Sequence, residues 1–313
     1  MNLKKPDFWT YDKPNFYAYL LSPFSILIQL LNLLNLKKKT KPKIKTICIG
    51  NIYLGGTGKT SLSLKINEIL KTKNIKSCFV KKFYQNQIDE QKILRNSGKL
   101  FLSTNRLDAL KEAQNENYDI AILDDGLQDR SIIYDKSIVC FNNLNWIGNG
   151  LTIPSGPLRE NFRNIKNCNH IFINGDLENI DNIKKKILET NPKVNIHIGK
   201  YVPENLKKFN INEKYLVFSG IGNHKTFLSM LKKNNFNIIK DIEFPDHYKY
   251  SKKDIDKIIS ISKNYNCKIL TTEKDFFRSK NYMSDKIEFI SSKLEVLNEK
   301  KLFEALTKIY EQN

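Results

Sequence analysis

The chain has 313 residues, 40% of them hydrophobic, enough for one large domain or two ordinary ones with separate cores, and we expect two. A net charge of +19 and a pI near 9.5 point to an anionic partner, whether nucleic acid, an acidic membrane surface or a phosphorylated substrate. Five cysteines, an odd number set in apolar runs such as TICIG and SIVCF, read as buried hydrophobes in a reducing compartment; no Cys/His spacing suits zinc, and no interleaved aromatic and basic motif suits nucleic acid.

Residues 16–36 carry no charge. Phe8, Trp9 and Tyr11 precede them and Lys37-Lys38-Lys39 follow. The segment approaches the roughly 20 apolar residues that span a bilayer, but Pro23, Gln29, Asn32 and Asn35 interrupt it. Aromatics at one end and lysines at the other suit a helix lying in the headgroup region, so residues 1–40 read as a membrane-associated helix and basic linker. No small-residue cleavage site follows, which argues against a signal peptide; an ordinary buried first helix is the alternative.

The run IKTICIG then has the β-branched, continuously apolar character of a buried parallel strand. A glycine-rich loop follows, and Leu62, Ile66, Ile69 and Leu70 recur at helical spacing. KSCFVKKFY reads as a strand, RLDALKEAQNEN as a helix, and YDIAILDDGLQD as a strand ending in two carboxylates. KSIVCFNN and NHIFING continue the series. The alternation predicts an α/β fold of the P-loop NTPase type, a doubly wound parallel sheet over residues 41–206. After a polar stretch, KYLVFSGIGN, HKTFLSMLKKN, NCKILTTEKDFFR and KKLFEALTKIYEQN predict a second, smaller α/β domain over residues 207–313.

The loop GNIYLGGTGKT, residues 50–60, holds the parts of a phosphate site. Gly55, Gly56 and Gly58 let backbone amides curl around an anion, Lys59 reaches β- and γ-phosphates, and Thr60 binds Mg²⁺ at a helix N-terminus. Tyr53 stands where the pattern wants its first glycine. Asp124 or Asp125, ending a neighbouring strand, supplies a carboxylate for the metal. A guanine-nucleotide reading is weakened because TEKD carries its lysine one place late, and a partitioning-ATPase reading because Leu54 replaces a lysine before the double glycine.

These segments, with DDGLQ (124–128), GNGLTIPSGPLRE (148–160), FSGIGN (218–223), FPDHYKY (244–250) and TTEKD (271–275), resemble the tetraacyldisaccharide 4′-kinases (lipid A 4′-kinases) of Gram-negative bacteria over nearly the whole chain. The resemblance implies transfer of the ATP γ-phosphate to the 4′-hydroxyl of tetraacyldisaccharide 1-phosphate, giving lipid IVA at the cytoplasmic face of the inner membrane, by a monomer. It implies ATP contacts from Gly55, Gly56, Thr57, Gly58, Lys59, Thr60 and Gln128, with Mg²⁺ held by Thr60 and a carboxylate from Asp124, Asp125 or Glu160. Arg159 stabilises the transferring group, and Asp89, oriented by His247, accepts the hydroxyl proton. Two departures stand out. Lys81-Lys82-Phe83-Tyr84 replaces the family's Ser-Arg-Gly-Tyr, with a shortened segment to Asp89; Lys82 keeps the arginine's charge without its bidentate geometry. Asp129 replaces a histidine, whose contact is lost, inverted or taken up by Arg130. The competing reading is a membrane-associated P-loop ATPase switch without lipid kinase activity.

Overall fold

The computed structural model describes residues 5–34, 38–282 and 286–308. Residues 35–37 of the predicted apolar segment and its lysine run, and 309–313 of the predicted last helix, lie outside them. Two compact units emerge, a larger one from Lys5–Gly199 with the chain from Val296 onward, and a smaller one from Lys200–Glu295. The expected boundary at 207 thus moves to Lys200, and the helix that sequence reading gave to the second domain packs in the first.

In chain order the larger unit contains α1 (Phe16–Leu34), β1 (Lys45–Gly50), α2 (Lys59–Lys71), β2 (Ser77–Lys82), α3 (Ile88–Ser97), β3 (Leu100–Ser103), α4 (Arg106–Asn115), β4 (Ile120–Asp124), β5 (Lys136–Asn142), β6 (His170–Asn174) and α5 (Ile180–Thr190). The chain leaves it along β7 (Asn195–Pro203). The smaller unit follows with β8 (Lys214–Ser219), α6 (His224–Lys233), β9 (Asn237–Glu243), α7 (Lys252–Tyr265), β10 (Lys268–Thr272), α8 (Glu273–Ser279) and β11 (Ile287–Ile290). The chain returns along β12 (Ser292–Val296) into α9 (Glu299–Thr307).

The first sheet has the order β12-β7-β6-β5-β1-β4-β2-β3, and from β7 to β3 every neighbouring pair runs parallel. Its central strands are buried along almost their whole length, as parallel strands covered on both faces must be, which is why they read as continuous apolar runs. Ile183 and Ile187 of α5 pack with Val139, Phe141, Ile171 and Ile173, while Ala109, Leu110 and Ala113 of α4 pack with Cys78, Val80, Ala121 and Leu123. β1 lies between β4 and β5, with Ile49 opposite Asp124, so the loop leaving β1 and the carboxylates ending β4 emerge side by side. That is the switch point at which such sheets bind ligands.

In the smaller unit a parallel sheet runs β11-β10-β8-β9. Successive β8 side chains point to opposite faces: Tyr215 and Val217 meet Phe227 and Leu231 of α6, and Leu216 and Phe218 meet Ile255 and Ile258 of α7. The small unit is therefore doubly wound as well.

α1 is inside out. Ala18 and Ser25 are buried and Gln29 half-buried, whereas Phe16, Leu20, Phe24, Leu27, Leu31 and Leu34 are each more than half exposed. The inward stripe docks through polar bonds: Ser25 Oγ donates to Thr152 O at 2.8 Å, Gln29 Nε2 to Arg159 O at 3.4 Å, and Arg130 Nη1 donates to Asn32 O at 3.1 Å. Pro23 lacks the amide that would reach the Tyr19 carbonyl, and Ser22 Oγ takes its place at 2.7 Å. No helix among the described residues is long and apolar enough to cross a membrane.

Candidate phosphate-transfer site

Tyr53 occupies the glycine position because the loop's entry is an extended, anchored segment. It forms an isolated antiparallel bridge with Leu158, Leu54 N donates to Pro157 O at 2.8 Å, and Arg159 N donates to Ile52 O at 2.6 Å. Its ring is buried in the same cluster as Leu158 and Phe141. A glycine there would forfeit that anchor; with tyrosine, the bridge seats Arg159 beside the loop. Beyond it, Gly58 takes φ 78°, a left-handed conformation that favours glycine, and caps α2. Side-chain amides fix the loop's carbonyls: Asn51 Nδ2 donates to Tyr53 O at 2.7 Å and Gly55 O at 3.1 Å, and Asn174 Nδ2 to Thr57 O at 2.8 Å. With carbonyls tied back, the amides and the positive end of α2 are left to an anion.

Two carboxylates organise the cations. Asp125, at φ 61°, accepts from Arg159 Nη1 at 3.0 Å and lies 3.8 Å from Lys59 Nζ. Burial alone would raise its pKa, but Lys59, Arg159 and Lys81 together hold it below the ordinary 3.8. Arg159 Nη1 also reaches Gln128 Oε1 at 3.2 Å, while Gln128 Nε2 donates to Asn51 O at 2.9 Å. Asp124, fully buried, accepts from Thr60 Oγ1 and Ser63 Oγ, each at 3.3 Å, and from Lys81 Nζ at 2.7 Å.

Lys81, rather than Lys82, is the charge that the altered segment brings to the site. Its ammonium bridges Asp124 and Glu90, both at 2.7 Å, and is almost wholly buried. Burial would lower its pKa, but the two carboxylates outweigh that and raise it. Since Glu90 adjoins Asp89 in the first turn of α3, this bridge ties the shortened segment to the phosphate site. Asp129 pairs with Arg106 at 3.0 Å, and Arg106 Nη2 donates to Asp125 O at 2.7 Å, so this pair supports the backbone of the site; Arg130 instead tethers α1. Glu160 accepts from Asn164 Nδ2 at 2.9 Å, and among the described residues no hydrogen bond joins it to Thr60, Asp124 or Asp125.

In the smaller unit, three of the quoted segments converge on Arg278. Its Nη1 donates to Gly220 O at 2.8 Å and Asp275 Oδ1 at 3.3 Å, and its Nη2 lies 3.2 Å from His247 Nδ1. Guanidinium only donates, so His247 Nδ1 accepts and a neutral ring carries its proton on Nε2. His247 sits at φ 58°, its amide bound to Gly220 O at 3.0 Å.

Sequence reading did not single out Lys81, Ser63, Arg106, Asn51 or Asn174. Asn142 and Asn174, polar residues closing the apolar strands β5 and β6 and joined at 3.0 Å, were the signal available. The five cysteines are all free thiols, and burial pushes Cys78 and Cys168 up to about 12.

The tetraacyldisaccharide-1-P 4′-kinase family model matches residues 17–100 and 89–311. The tetraacyldisaccharide 4′-kinase of Pelagibacter ubique is 55% identical over 100% of both chains, and that of Rickettsia felis 31% identical over 96% of this chain and 97% of its own. The crystal structure of LpxK from Aquifex aeolicus in complex with ATP shares the fold, with a TM-score of 0.64 at 20% identity over 93% of this chain and 99% of that one. On the family match and the full-length relative, the chain belongs to the tetraacyldisaccharide 4′-kinases.

Proposed function

We infer that this protein transfers the γ-phosphate of ATP to the 4′-hydroxyl of tetraacyldisaccharide 1-phosphate. The observation that carries the reading is the convergence of Lys59 and Arg159 on Asp125, beside the Thr60–Asp124 pair at the start of α2. Family membership leaves the switch-protein alternative without support.

Phosphoryl transfer needs positioning and charge neutralisation more than covalent chemistry. Amides of residues 55–60 cradle the phosphates, with Gln128 steadying the loop's entry through Asn51. Lys59 neutralises β- and γ-oxygens. Arg159 meets the transferring group, and Asp125, kept ionised, holds both cations over the site before substrate arrives. The Thr60 hydroxyl and Asp124 carboxylate are hard oxygen donors that fit Mg²⁺ and would hold it. When bound there, Mg²⁺ would supply charge neutralisation for the phosphates. Asp89 accepts the hydroxyl proton. His247 belongs to the smaller unit, where Arg278 leaves its ring proton on Nε2.

The exposed apolar face of α1 supports a place on the membrane surface. The acyl chains of the substrate stay in the bilayer and the enzyme comes to them, as a monomer at the cytoplasmic face of the inner membrane. The test is transfer of labelled γ-phosphate to detergent-dispersed tetraacyldisaccharide 1-phosphate. Wild type is expected to yield labelled lipid IVA and both Lys59→Ala and Asp89→Ala to lose it; activity retained in Asp89→Ala moves the base elsewhere, and unlabelled lipid from folded, ATP-binding wild type overturns the assignment.

A further inference from the structure

Across the first sheet from the phosphate loop, where β5, β6 and β7 begin, lies a second cavity of about 340 Å³. Half-buried Lys136 and the exposed Lys166, Lys193 and Lys308 line it, and among the described residues none of the four pairs with a carboxylate. His170 also lines it and is 2% exposed, with a buried Nε2 that has no hydrogen-bond partner. A lost partner at a buried ring nitrogen is costly, and native structures rarely leave one without a reason.

The other ring nitrogen defines what Nε2 offers. His170 Nδ1 lies 3.2 Å from His197 Nε2, so one ring donates to the other. When His197 is the donor, His170 carries its own proton on Nε2. Burial, with His197 and Lys136 close by, holds His170 at about 3, so its ring is neutral beside the four ammonium groups. Such a set, with four cations, a neutral imidazole and no large apolar side chain in the lining, has the chemistry of an anion site and not of an acyl-chain pocket.

We propose that this cavity binds a small, soluble phosphate-bearing anion, separately from the nucleotide site. The experiment is calorimetric titration with inorganic phosphate of full-length protein whose nucleotide site is filled with a non-hydrolysable MgATP analogue, alongside ¹⁵N spectra of the histidine rings. Wild type is expected to bind and to shift the His170 resonances. Lys136→Gln/Lys193→Gln, at one half-buried and one exposed position that hold no ion pair among the described residues, should bind roughly tenfold or more weakly for each ammonium removed. Absence of binding at millimolar phosphate, or equal binding by the double variant with stationary His170 resonances, overturns the proposal. In a second arm, vesicles containing phosphatidic acid that engage these lysines while free phosphate does not would replace the soluble anion by a lipid headgroup and equally overturn it.

Discussion

Replacing Lys81 by methionine removes the ammonium that joins Asp124 to Glu90 while nearly keeping the side-chain volume. Asp124 is fully buried and would retain only the longer bonds from Thr60 and Ser63, each at 3.3 Å. Breaking a buried pair from one side costs about 3–5 kcal/mol, because the surviving charge cannot recover its hydration. Unfolding in guanidinium, followed by tryptophan fluorescence, reads this directly, since both tryptophans, Trp9 and Trp146, belong to the larger unit. Lys81→Met/Asp124→Asn, which removes both charges, should recover at least half of the loss. A single-variant loss below about 1 kcal/mol, or a double variant no more stable than the single one, would refute the assignment of a buried pair. Linkage gives an independent check. The folded Lys81 pKa lies above its ordinary 10.5, so its contribution is complete below pH 10.5 and fades only as pH climbs through the higher folded value. The methionine variant should lack that alkaline loss.

Asp125→Asn releases Lys59 and Arg159 from their shared anchor, and kcat/KM should fall on the order of 100-fold through misplacement alone; a loss under threefold counts against preorganisation. Because its folded pKa is depressed, the stability Asp125 contributes is present above pH 3.8 and vanishes as pH drops through the folded value, a trend that acid titration of wild type against Asp125→Asn should isolate. Leu20→Glu/Leu27→Glu should leave thermal stability within about 0.5 kcal/mol, since both side chains are exposed, yet weaken sedimentation with anionic vesicles more than tenfold. Arg278→Ala should allow the His247 ring to change tautomer, visible in ¹⁵N shifts, and should lower kcat more than it raises KM; unchanged shifts would remove Arg278 as the positioning group.

The fold was legible because buried parallel strands must be apolar along their length, so TICIG and IAILD announce themselves, and because glycine, lysine and threonine at a strand-to-helix turn have few other uses. Lys81 was not legible. Two adjacent lysines in a lysine-rich chain look interchangeable, and only strand alternation decides which of them points inward at Asp124. Register likewise hid Arg106 and Asn174, whose partners Asp129 and Thr57 lie 23 and 117 residues away in the sequence. The inside-out packing of α1 was half visible: the apolar run suggested a membrane helix, but the docking stripe of Ala18, Ser25 and Gln29 emerges only once the helix has a wall to face. The altered domain limits have the same origin, since no local pattern says that a helix after one domain packs with another.

That insertion has a consequence for synthesis and folding. Lys65 on α2, the helix that follows the phosphate loop, pairs with Glu299 of α9 at 2.7 Å, yet α9 emerges from the ribosome only after the whole smaller unit. While that unit is unfolded it is a floppy tether of about a hundred residues, and closing such a loop costs on the order of 4 kcal/mol in chain entropy. Once it folds, β7 and β12, its exit and return strands, lie side by side and the tether is short. The completed smaller unit therefore steadies the nucleotide-binding helix through chain connectivity, and a lesion that unfolds it is felt at α2.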